Sequence, residues 1–139
     1  SLVDSGYTAE SAVFDVTDQQ AMNTFFMARP ESPLHILINN AYVGGAGSIE
    51  LSKAEDYAKS YDVTVLAAHN LLLAALPSLR KAVLQSGEAS VINLTSMYAM
   101  GSTDQRIYES AHGVNPPFYG ASKAALLQWT RYAACEFGA

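Results

Sequence analysis

The chain has 139 residues, half of them apolar, with 13 acidic against 8 basic side chains and a net charge of −5. That length suits one domain, and the apolar share is enough to build a buried core. The acidic balance argues against nucleic acid or an anionic membrane as the main partner, because neither attracts a negative surface.

Residues 1–6 carry no basic region followed by an apolar core, so they do not read as a secretory signal. Ala12-Val13-Phe14-Asp15-Val16 is the first β-rich run. Thr17 or Asp18 can cap a helix that continues to about residue 27, after which Pro30 and Pro33 force a connection. Leu34-His35-Ile36-Leu37-Ile38 is the second run, followed by Asn39 and Asn40. The stretch Val43-Gly44-Gly45-Ala46-Gly47 is then expected to be a loop. Ser52 can cap another helix, with Glu55 as its capping-box partner. A long apolar helix is expected over residues 61–84, with Pro77 as a kink point and Gly87 just beyond its end. Ser90-Val91-Ile92-Asn93-Leu94 is the third run, followed by Thr95 and Ser96. Residues 97–117 are long and irregular, as in functional lids and mobile segments. A last helix is expected over residues 118–137, ending at Gly138.

Strand, helix, strand, helix, strand, helix is the order of an α/β protein with parallel βαβ units and right-handed crossovers. The second and third runs are apolar on both faces, as in strands covered by helices on either side. No stretch of about eighteen uninterrupted apolar residues is present, so no membrane-spanning segment is expected. The single cysteine, Cys135, excludes an internal disulfide and is compatible with a reducing, cytoplasmic setting; it reads as a small core residue. His35, His69 and His112 lack metal-ligand spacing, and no metal is expected. The Leu71-Leu72-Leu73 run and the alanines of the last helix read mainly as core.

Ligands of open α/β sheets sit at the carboxyl ends of the strands. Asp15, the run Asn39-Asn40-Ala41 and Ser96 all fall there, and the last helix brings Tyr119 and Lys123 towards the same edge. Tyr119 and Lys123 are four apart, so on a helix they share one face. An ammonium beside a phenol stabilises the phenolate; at about 4 Å and an effective dielectric of 20 this is worth up to ~4 kcal/mol. Such a pair is a usable proton donor or acceptor near neutral pH.

Taken together, these motifs resemble the short-chain dehydrogenase/reductase superfamily. Asp15-Val16-Thr17-Asp18 resembles the motif after its third strand, Asn39-Asn40-Ala41-Tyr42 the Asn-Asn-Ala-Gly of its fourth, and Ile92-Asn93-Leu94-Thr95-Ser96 its fifth strand with the catalytic serine. Tyr119-Gly120-Ala121-Ser122-Lys123 matches its Tyr-x-x-x-Lys. The resemblance implies an α/β, incomplete Rossmann-like doubly wound parallel sheet made of the family's strands 3, 4 and 5 with flanking helices, within a single incomplete dinucleotide-binding domain. It implies hydride transfer between NAD or NADP and an alcohol/carbonyl substrate. In that scheme Tyr119 is the general acid or base, Lys123 holds the nicotinamide ribose, and Ser96 orients the substrate oxygen. Asp15 and Val16 lie along the adenine, with Asn39, Asn40 and Ala41 at the cofactor edge. The family's two long helices also build oligomer interfaces, so a homo-oligomer is implied.

The chain departs from the family at several points. Asp62 occupies the place of an Asn whose main-chain carbonyl holds a relay water, which puts the helix distortion supported by that Asn in question. Tyr42 replaces the Gly of the strand-four motif and alters the floor near the nicotinamide. Tyr119 follows Ser96 by 23 positions, about ten more than is usual in the family. The extra residues around Asp104-Gln105-Arg106-Ile107-Tyr108-Glu109 resemble a subgroup linked to bacterial surface-sugar and flagellin-glycan biosynthesis, which suggests a sugar-like substrate. The family's Gly-rich pyrophosphate turn has no counterpart before Asp15, and Gly44-Gly45-Ala46-Gly47 follows the wrong strand to supply it. In the family sheet, strands three and four are not neighbours, so the run at Phe14 either stands apart from the run at Ile36 or pairs with it in a non-family way. The alternative is a catalytically inactive fragment or a self-associating interaction domain. Epimerases and dehydratases of the extended relatives share the Tyr/Lys pair but carry a different strand-four motif.

Overall fold

A computed structural model describes residues 4–30 and 32–138; residues 1–3, part of the start read above for a signal, lie outside them. Two parallel strands form the sheet, β1 (Ile36–Asn39) and β2 (Ser90–Asn93), in the register Ile36↔Ser90 to Asn39↔Asn93. The α-helices among the described residues are α1 (Gln19–Met27), α2 (Ala54–Tyr61), α3 (Ala67–Ser86) and α4 (Pro117–Phe137). A π-helical turn, Asp62–Leu66, joins α2 to α3 into one continuous helix.

The expected strand at residues 12–16 does not form. The segment takes no regular secondary structure and ends in a turn at Val16, and β1 pairs only with β2 among the described residues. Asp15 instead opens a tight turn: its Oδ1 accepts the Thr17 amide (2.9 Å) and hydroxyl (2.8 Å), and its carbonyl accepts the Asp18 amide. Asp18 then caps α1, accepting the Ala21 amide at 2.9 Å. The start of α2 also differs. Lys53 is the cap residue, and the Asp56 carboxylate accepts its backbone N–H at 2.9 Å. Ser52 is drawn into the preceding turn, where its hydroxyl donates to the Ser48 carbonyl.

The core lies on one side of the sheet. Leu72, Ala75 and Leu79 of α3 pack on Leu37 and Val91, while Val65 and Ala68 meet Leu126 of α4, and Trp129 touches both groups. Leu37 and Val91 are half-buried, but Ile36, Ile38 and Ile92 are exposed on the other face. The expectation of strands covered on both faces is therefore met on one face only. The continuous helix Ala54–Ser86 is long and apolar enough on length and composition to cross a membrane, with a window of mean hydropathy 1.4. Its apolar side packs on the strands and α4. Cys135 is exposed rather than in the core: Ala133 and Phe137 of the same helix end take the side towards Val91 and Leu72.

Two details fix the strand ends. Asn39 Nδ2 donates to Asn93 Oδ1 (2.7 Å), Asn93 Nδ2 to Thr130 Oγ1 (2.9 Å), and Thr130 Oγ1 to the Leu126 carbonyl (2.7 Å). This chain of bonds ties β1, β2 and α4 together. Gly47 has φ +135°, a backbone state that side chains rarely adopt, and its amide donates to the Val114 carbonyl. Gly47→Ala is expected to cost about 1–2 kcal/mol in urea unfolding, whereas Gly101→Ala, in open space, is expected to cost less than about 0.5 kcal/mol. Thr130→Val leaves the Asn93 amide without its acceptor and is expected to cost about 1–3 kcal/mol in the same measurement.

Candidate active site

The carboxyl ends of β1 and β2 meet the first two turns of α4. Pro117 opens this helix, where its missing N–H and fixed φ suit the first turn. Ser60 and Ser122, both buried, let α2 approach α4 closely; their hydroxyls are 2.8 Å apart, and Ser122 Oγ donates to the Tyr119 carbonyl. On the same face of α4, Tyr119 is half-buried and Lys123 is only 3% exposed.

Lys123 is the best-anchored residue of the site. Nζ donates to the Leu94 carbonyl at 2.6 Å, and the Thr95 hydroxyl donates to the Lys123 carbonyl at 2.9 Å. Nζ lies 5.9 Å from the Tyr119 ring centroid and 5.8 Å from that of Tyr42. Desolvation holds the ammonium below its ordinary 10.5, and no carboxylate pairs with it among the described residues. Tyr119 Oη has no hydrogen-bond partner among the described residues.

The other expected residues are distributed as follows. Ser96 follows Thr95, and its Oγ accepts the Tyr98 amide at 3.2 Å, capping the short turn Met97–Ala99. Its hydroxyl proton stays available. Tyr98 presses on α4: a Cβ at Gly120 would lie 3.0 Å from the Tyr98 carbonyl. The Tyr98 hydroxyl is 3.4 Å from that of Tyr108, and this contact, with burial, raises the Tyr98 phenol above its ordinary 10.0. Asp62 sits at the head of the π turn; its carbonyl accepts the Ala67 amide and its carboxylate is exposed. The helix distortion questioned above is thus present with Asp at this position. Val16, Asn39, Asn40 and Ala41 line one cavity of about 70 Å³ with residues of the π turn and α3. Asp15 stays exposed, and its hydrogen bonds to Thr17 hold its carboxyl below the usual range. The Gly-rich stretch has a packing explanation: a Cβ at Gly45 would meet the Phe118 ring at 3.0 Å.

A dinucleotide fits these residues on two observations. Lys123 Nζ uses one acceptor, leaving N–H groups for ribose hydroxyls. Asn39 Oδ1 is buried without a donor, beside the cavity shared with Val16, Asn40 and Ala41. Sequence reasoning missed Tyr42 as a neighbour of both Tyr119 and Lys123; its place as the departure from Gly was the available signal.

A family model described as Enoyl-(Acyl carrier protein) reductase matches residues 2–139. Over 103 residues the chain is 29% identical to the rhamnolipids biosynthesis 3-oxoacyl-[acyl-carrier-protein] reductase of Pseudomonas aeruginosa, covering 74% of this chain and 37% of that one. It is 34% identical over 105 residues to an uncharacterized oxidoreductase of Mycobacterium tuberculosis, covering 74% and 34%. The crystal structure of NADPH-bound carbonyl reductase from chicken fatty liver superposes with a TM-score of 0.79 at 27% identity, covering 98% of this chain and 55% of that one. The chain thus spans about a third of the curated relatives it matches and about half of that solved structure. By its motifs, its strand-end geometry and these likenesses, the chain belongs to the short-chain dehydrogenase/reductase superfamily.

Proposed function

We propose that this chain is the central part of an oxidoreductase domain that moves a hydride between NAD(H) or NADP(H) and an alcohol/carbonyl pair. The observation that carries this reading is Lys123, buried on the Leu94 carbonyl with Tyr119 on the same helix face. When bound, the cofactor supplies or accepts hydride at its nicotinamide ring. The NADPH complex of the chicken carbonyl reductase and the 3-oxoacyl substrate named for the Pseudomonas relative support a carbonyl substrate here.

In reduction, Tyr119 Oη donates a proton to the carbonyl oxygen, and in oxidation it takes one from the alcohol. Lys123 binds the nicotinamide ribose through the N–H groups that the Leu94 carbonyl leaves free. Ser96 Oγ already accepts the Tyr98 amide, so its own proton is free to donate to the substrate oxygen. The Asp62 carbonyl keeps a second lone pair for a relay water. Asp15 and Val16 take the adenine side, with Asn39, Asn40 and Ala41 at the cofactor edge. Exposed Leu66, Leu73 and Tyr132 on the long helices support a homo-oligomer through those helices. A cytoplasmic setting rests on the single free cysteine and the acidic balance.

The sugar-like substrate rests on the loop around residues 104–109, where Arg106 clamps the Asp104 carboxylate in an exposed turn. Turnover of polyols and sugars against 3-oxoacyl thioesters by the full-length protein separates the two substrate classes. Titration of both cofactors into it separates the enzyme reading from an inert, self-associating domain, which binds neither.

Tyr119→Phe in the full-length protein is expected to lower kcat by about 10²–10⁴-fold, with cofactor affinity within about threefold of the parent. A variant that keeps most of its turnover sinks the mechanism. Lys123→Met tests the buried ammonium. Because burial depresses the folded pKa below 10.5, the unfolded chain binds a proton that the folded chain lacks between those values. Stability contributed at Lys123 therefore rises with pH across that window. Lys123→Met is expected to melt higher than the parent near neutral pH, with the gap closing as pH approaches 10.5, and to lose turnover.

A further inference from the structure

We propose that Tyr42 is a positioning residue of the active site, whose ring holds the Lys123 ammonium and the Tyr119 ring in their working arrangement. This rests on the oxidoreductase reading above and extends it to a residue outside the four family motifs' shared positions.

The geometry is specific to Tyr42. It lies three residues past the end of β1, and its ring meets Tyr119 edge-on, with centroids 5.9 Å apart and planes at 72°. Lys123 Nζ lies over both rings, 5.8 Å from the Tyr42 centroid and 5.9 Å from the Tyr119 centroid. The ammonium is therefore surrounded by one carbonyl and two aromatic faces, with no carboxylate among the described residues. Burial disfavours a lysine charge, and the negative faces of aromatic rings oppose that penalty. Two rings at nearly equal distance also restrict where a four-carbon side chain can point its charge.

The ring body, not the hydroxyl, is the working part. Tyr42 is 61% exposed and makes no hydrogen bond among the described residues. Its own loop leaves room for the ring: a Cβ at Gly44 would lie 3.2 Å from Tyr42 Cε2. A glycine at position 42 would leave Lys123 with one ring and open the pair to solvent on that side.

The test uses the full-length protein carrying Tyr42→Phe or Tyr42→Leu, with two measurements. The first is reductive methylation of Lys123 in cofactor-free protein, read by mass spectrometry against Lys53 and Lys59 as internal references. The second is kcat alongside the cofactor dissociation constant. Tyr42→Leu is expected to methylate several-fold faster at Lys123 and to lose about tenfold in kcat, while cofactor affinity stays within about threefold. Tyr42→Phe, which keeps the ring, is expected to match the parent in all three. The proposal is overturned if Tyr42→Leu matches the parent in Lys123 methylation and kcat, or if Tyr42→Phe falls as far as Tyr42→Leu. Should Tyr119→Phe retain turnover, the oxidoreductase reading fails, yet the methylation result still decides whether Tyr42 covers Lys123.

Discussion

Lys123 donates to the Leu94 carbonyl while Thr95 bonds back to the Lys123 carbonyl, and the geometry around the strand ends follows from this two-way tie. It fixes α4 against the end of β2 at the point where the chain leaves the sheet. An ammonium this buried loses hydration, and one carbonyl is a modest replacement. A fold built for stability alone would use an apolar side chain there. This cost is kept at the position where the proposed mechanism uses a charge.

The rest of the structure serves to hold that arrangement. Ser60 and Ser122 replace bulk with a hydroxyl pair, so α2 can lie close enough to brace the first turns of α4. The π turn at Asp62–Leu66 inserts one residue into the helix register just after that contact, so Val65 and Ala68 still meet Leu126. The Asn39–Asn93–Thr130 chain keeps the two strand ends and α4 in register where β1 gives way to the loop of Tyr42. Each of these contacts is between elements far apart in sequence, which is why the site forms only in the folded domain.

Local patterns in the sequence carried the helices, β1, β2 and the Tyr119/Lys123 pair, because helix periodicity, strand composition and i,i+4 spacing are local properties. They misread the run at Phe14, since an unpaired segment can have the same composition as a paired strand and only a neighbour distinguishes them. The cap of α2 went to Lys53 because Ser52 found a nearer carbonyl in the preceding turn. Cys135 lies on the side of α4 away from Val91 and Leu72, a matter of helix rotation that a lone small residue does not reveal. Tyr42 stood out as a departure, but its contact with two residues some 80 positions away was a tertiary fact. Asp62 stands where Asn was expected, and the π turn forms nonetheless, so the distortion does not depend on that amide.

The account's central claim is that Lys123 is a desolvated ammonium facing the cofactor. Lysine-selective NMR of the full-length protein, with Lys123 assigned by its loss in the Lys123→Met variant, tests it without knowledge of the substrate. The account predicts that the Lys123 signal titrates below 10.5 and shifts on addition of NAD(H) or NADP(H). A Lys123 signal that titrates at 10.5 and ignores both dinucleotides would contradict it.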